Sequence, residues 1–154
     1  MESLKIGDQV YDKPNEVSEI LNKKFPEVFT SEALFNEPYR SNKTNMSEEF
    51  AVKKETLMKK IENLDGNKAI GPDGVSGHII KECREQLIEP MYDIIKCSIE
   101  TGKVPTEWKM ADIIPIHKGG KHDEPLNYRP ISLTSILCKL CETIIKEQWT
   151  RYFE

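Results

Sequence analysis

The chain has 154 residues, enough for one ordinary domain or one piece of a larger one, with 38% apolar and 31% charged residues. Its formal net charge is −4, so it lacks the overall basic footprint common in nucleic-acid binders, and any cationic surface must be local. Neither a signal-peptide core nor an apolar run of membrane-span length is present, which predicts an intracellular chain, nuclear or cytoplasmic, with no membrane partner. The four cysteines then read as free thiols.

Residues 1–15 are polar and read as a loose leader. Val17, Ile20, Leu21 and Phe25 have helical spacing that Pro26 should end. Phe29 to Phe35 can form another helical turn, and residues 36–50 read as a linker, giving a boundary between a 1–50 connector and a 51–154 unit. Leu57, Met58, Ile61 and Leu64 line one helix, which ends near Gly66. In the turn Gly71-Pro72-Asp73-Gly74 the glycines should supply positive φ and the proline the bend. Ser76 caps a helix burying Ile79, Ile80, Cys83 and Leu87. Pro90 at a first helical position and Gly102 at a C′ position bound the next, with Met91, Ile94, Ile95, Ser98 and Ile99 inward.

Two β-branched runs, Asp112 to His117 and Tyr128 to Leu133, flank a polar connector containing Gly119 and Gly120, which predicts a β-hairpin with a long loop. Pro115 and Pro130 each remove a backbone donor, so both strands belong in a projecting ribbon. Thr134 or Ser135 caps a last helix with Ile136, Leu137, Leu140, Cys141, Ile144 and Ile145 inward and a Glu142–Lys146 pair outward. So apolar a helix needs a further surface against it, and the chain reads as cut short. The fold class is mainly α with one two-stranded antiparallel ribbon.

Cys138 and Cys141 form a C-x-x-C, but three-residue spacing inside an apolar helix is core packing rather than zinc. His78, His117 and His122 are scattered and read as surface or satisfied residues. Asp112, Asp123 and Glu124 read as solvated turn carboxylates rather than Mg²⁺ ligands. The connector is more informative. Lys118 beside Gly119-Gly120 offers a point charge on a mobile backbone with free N–H groups, and Arg129 offers a planar fork suited to phosphate. A charged hairpin kept soluble by its lysines explains the same residues equally well.

Four segments occur in a fixed order: Lys68-Ala69-Ile70-Gly71-Pro72-Asp73-Gly74-Val75; Gly102-Lys103-Val104-Pro105 with Trp108-Lys109 and Ala111; Pro115-Ile116-His117-Lys118; and Asn127-Tyr128-Arg129-Pro130-Ile131-Ser132-Leu133. Together they closely resemble the N-terminal part of reverse transcriptases from non-LTR (LINE, jockey-like) retrotransposons, over residues 52–154. Leu21-Asn22 to Phe29-Thr30-Ser31-Glu32 resembles the connector that follows an endonuclease domain in such proteins. The resemblance implies an incomplete fingers subdomain of a right-hand polymerase, in which Lys118 and Arg129 approach the triphosphate of an incoming nucleotide and the RNA template. It also implies a template contact for Lys68. The intact family uses Mg²⁺ held by palm carboxylates, one set in a Tyr/Phe-x-Asp-Asp turn. No such turn occurs here and the last aspartate is Asp123, so no metal or cofactor is expected in this chain. By itself it is expected not to polymerise DNA. Two other readings stand beside this one: a non-enzymatic RNA- or protein-binding module, and a decayed reading frame without a role.

Overall fold

The computed structural model describes residues 3–27 and 52–154; the predicted turn at 29–35, the linker and the boundary at 50/51 lie outside them. The described chain forms two compact units, one of residues 3–27 with Ile113–Ser132, the other of residues 52–112 with Leu133–Glu154. No described helix is long and apolar enough to cross a membrane.

In the first unit the expected loose leader is instead a hairpin, β1 (Leu4–Ile6) and β2 (Gln9–Tyr11), paired Leu4↔Tyr11, Lys5↔Val10 and Ile6↔Gln9. A two-residue loop, Gly7-Asp8, joins the strands, and Gly7 takes the φ of +60° that its first central position favours. The reason for the hairpin is Leu4, which is fully buried with Val17, Leu21, Phe25 and Tyr128. The molecule thus has a second small sheet beyond the one predicted. Helix α1 runs Pro14–Glu27, so Pro14 opens it at a tolerated first-turn position while Pro26 sits inside its last turn. The ribbon strands are β3 (Asp112–His117) and β4 (Tyr128–Leu133), at the predicted bounds. Their isoleucines, Ile113, Ile114, Ile116 and Ile131, are all exposed.

The second unit packs α2 (Lys54–Glu62), α3 (Gly77–Glu82), α4 (Arg84–Thr101) and α5 (Ile136–Phe153), with a 3-10 turn at Thr106–Lys109. Its core contains Leu57, Ile61, Ile80, Ile88, Met91, Ile95, Ile136, Leu140, Cys141 and Ile144. Each such side chain removed from water contributes about 1.5–3 kcal/mol. Two caps fall where predicted. The Ser76 hydroxyl accepts from Ile79 N at 3.3 Å, and the Ser135 hydroxyl from Cys138 N at 3.2 Å. Gly102 ends α4 in the left-handed region.

Three expectations about the helices fail. Pro90 lies within α4 rather than at its start, because Leu87 and Ile88 draw the preceding turns onto the core despite the lost N–H. Ile79, Cys83 and Ile94 share helical spacing with core residues yet are exposed. Glu142 accepts from the Cys138 thiol at 3.5 Å and makes no ion pair with Lys146. Lys54 instead ties α2 to α4, 2.6 Å from Glu89, and this hydrogen bond raises the Lys54 pKa.

The turn at 71–74 closes with Gly74 N donating to Gly71 O at 3.1 Å, and the Asp73 carboxylate accepts from Val75 N at 3.2 Å. Only Gly74 has positive φ, +69°. Gly71 is needed for a different reason. A Cβ there would lie 2.6 Å from Thr134 O and 2.8 Å from Ser135 Cα, so a bare backbone lets the turn sit against the root of α5.

Candidate nucleic-acid interface

Lys118 follows the last residue of β3, and Arg129 is the second residue of β4; both side chains are exposed. Neither has a carboxylate within ion-pair distance among the described residues, whereas Lys121 in the same connector lies 4.0 Å from Glu124.

The connector is tied down rather than mobile as predicted. The Lys118 N–H is not free: it donates to Asn127 O at 2.8 Å. The Asn127 side-chain amide donates to Lys121 O at 2.9 Å and to the Glu124 carboxylate at 3.2 Å. Gly119 and Gly120 have φ of +115° and +86°, and a Cβ on Gly120 would strike the Asn127 side chain at 2.6 Å. The Tyr128 hydroxyl donates to His122 O at 2.7 Å, and its ring packs into the small core with α1. Lys5 N donates to Asp123 O at 2.6 Å, so the N-terminal hairpin braces the connector from another side. The rings of His117 and His122 stack at 3.9 Å, and His117 Nε2 is buried without a hydrogen-bond partner.

The outcome is a pair of unpaired cations beside an ordered connector. A connector backbone fixed before an anion arrives lowers part of the ordering cost of binding. Sequence reasoning found the cations but missed their supports. Asn127 and Tyr128 were visible only as parts of a motif, and nothing local reveals that Leu4 and α1 lie beneath them.

Lys68 belongs to the other unit, exposed on a loop whose Lys68 N donates to Asp65 O at 3.3 Å. It lines a cleft of about 570 Å³ with Lys59 and Lys60 of α2 and Arg151 of α5. Those three were legible only as charged helix surface, since their meeting depends on the α2–α5 contact.

His78 is a satisfied residue, its Nε2 3.2 Å from the Asn67 side-chain oxygen. Cys138 and Cys141 are buried core, whereas Cys83 and Cys97 are exposed. Burial first, then the neighbouring Glu142 carboxylate, pushes the Cys138 thiol up to about 11 and raises Cys141 as well. Both stay protonated at neutral pH, and their contribution to stability is lost only as pH climbs from the ordinary thiol value of 9.0 toward the raised one. Iodoacetamide at neutral pH should therefore label Cys83 and Cys97 in the folded chain, leaving Cys138 and Cys141 for denaturant; mass mapping checks this, and fast labelling of Cys138 would contradict it.

No protein-family model matches the chain. Among curated proteins of Drosophila melanogaster it is 37% identical over 95 residues to one named "Probable RNA-directed DNA polymerase from transposon BS", a match covering 61% of this chain and 10% of that protein. To the RNA-directed DNA polymerase from mobile element jockey it is 34% identical over 96 residues, 62% of this chain and 10% of the relative. To "Probable RNA-directed DNA polymerase from transposon X-element" it is 35% identical over 80 residues, 51% and 9% respectively. The chain thus spans about a tenth of the length of the relatives it matches, and over that span it is a relative of the RNA-directed DNA polymerases of non-LTR retrotransposons.

Proposed function

We propose that this chain acts as fingers-type structure of an RNA-directed DNA polymerase, with Lys118 and Arg129 meeting phosphates of the RNA template and of an incoming nucleotide, and Lys68 contacting template. The observation that carries this reading is the pair of exposed, unpaired cations beside a hydrogen-bonded connector, in a chain whose relatives bear that polymerase name. Lys118 supplies a compact charge, and Arg129 a fork that can grip two oxygens of one phosphate.

Polymerase chemistry uses two metal ions held by clustered carboxylates. Among the described residues no three His, Cys, Asp or Glu groups gather to hold a metal. The part proposed here for this chain is to bind and orient phosphates.

Fluorescence anisotropy with single-stranded RNA tests the assignment. The double substitution Lys118→Ala/Arg129→Ala should weaken binding by about tenfold at moderate salt and lower the salt slope by about 1.4, roughly 0.7 per lost phosphate contact. Lys121→Ala, which removes a charge beside Glu124, should change it far less. Unchanged affinity in the double variant would leave only a hairpin made soluble by its charges.

A further inference from the structure

The cleft between α2 and α5 is cationic beyond what the ribbon reading uses. Lys59, Lys60, Lys68 and Arg151 line it against only two carboxylates, Asp65 and Glu147. Glu147 is engaged by Lys60 across the two helices. The Asp65 carboxylate accepts from Asn67 N at 3.0 Å. Lys59, Lys68 and Arg151 therefore share one concavity with no ion-pair partner among the described residues, in a chain whose acidic residues outnumber its basic ones 26 to 22. Helix polarity accounts for part of this, because Lys59 and Arg151 stand in last turns, where cations complement the carbonyl ends. It does not account for Lys68, which comes from a loop and converges on the same space. A concave cluster of like charge raises the local concentration of a polyanion, and that gain offsets the repulsion among the cations.

We infer that this cleft is a second phosphate-binding surface, distinct from the ribbon, that takes the backbone of a single-stranded nucleic acid. Its volume, about 570 Å³, exceeds what one phosphate fills. Its described lining contains no aromatic ring for a base to stack on, so it would grip phosphates and read no sequence. The inference rests on the nucleic-acid reading above and shares Lys68 with it, but otherwise engages residues of α2 and α5 that the ribbon reading does not use.

The test uses the full chain and a labelled RNA of about twelve nucleotides, within the usual site size. The triple variant Lys59→Ala/Lys68→Ala/Arg151→Ala should bind at least about tenfold more weakly, with the salt slope lowered by about 2. Glu147→Gln frees Lys60 and removes a negative charge. It should bind about two- to threefold more tightly with a slope steeper by about 0.7, a gain that misfolding cannot mimic. Unchanged binding in both variants overturns the inference even if Lys118→Ala/Arg129→Ala weakens affinity. Weakening in the triple variant with tightening in Glu147→Gln, and no change in Lys118→Ala/Arg129→Ala, upholds it while removing the ribbon assignment. Absence of any salt-dependent binding by the unaltered chain overturns the inference. Tripolyphosphate that competes as well as RNA at equal phosphate concentration would show a site for free phosphate, and so overturn the strand assignment.

Discussion

Gly71→Ala should lower the unfolding free energy of the helical unit by about 3 kcal/mol, at the upper end of the usual overpacking cost. The three atoms nearest the added methyl all belong to the Thr134–Ser135 backbone, at 2.6–2.8 Å, so no side chain can swing aside. Either the turn or the first residues of α5 must move, and the Ser135 cap lies there. Gly74→Ala is the matched control. Its φ of +69° makes an L-residue strained, but open space surrounds the new methyl, so the cost should be about 1 kcal/mol. Both tryptophans, Trp108 and Trp149, lie in this unit, so fluorescence-detected urea unfolding reads it selectively. A smaller loss for Gly71→Ala than for Gly74→Ala would remove the close-approach explanation.

Ile144→Ala should cost more, about 4 kcal/mol. Ile144 is 1% exposed in the cluster that joins α5 to α2 and α4, and truncating such a residue loses its transfer free energy and leaves a cavity. Domains of this size are commonly stable by only about 5–15 kcal/mol, so the variant should unfold at much lower urea. Ile79→Ala removes the same atoms from a residue 55% exposed and should cost less than 1 kcal/mol. Comparable losses at the two positions would mean that the core is placed wrongly.

The contrast between Ile144 and Ile79 also shows where sequence reading stops. On α5, apolar spacing continues for several turns, and the inward face agrees with the expected one at Ile136, Leu140, Cys141 and Ile144. The ribbon was equally legible, since alternation, two prolines and a glycine-bearing connector all point to one geometry. On α3 and α4, Ile79 and Ile94 fit the same periodicity but fall outside the narrow stripe that neighbouring helices cover. Periodicity gives the direction of a face, not its width. The Leu4–Tyr11 hairpin was missed because three-residue strands carry almost no pattern, although Gly7-Asp8 was a usable turn signal. At the candidate site, charge type was visible at Lys118, Arg129 and Lys68. The bracing by Asn127 and Tyr128 was not, nor was the gathering of Lys59, Lys60 and Arg151, because those depend on contacts between distant segments.

The helical core draws Leu57 and Ile61 from the first helix of its unit and Leu140 and Ile144 from the last. A ribosome releases the chain in order, so α2, α3 and α4 can pack on one another, but the apolar surface that α5 covers stays open until α5 has cleared the exit tunnel. During that interval the nascent polypeptide is sticky. Chaperone occupancy should peak there and drop once the α5 segment is outside.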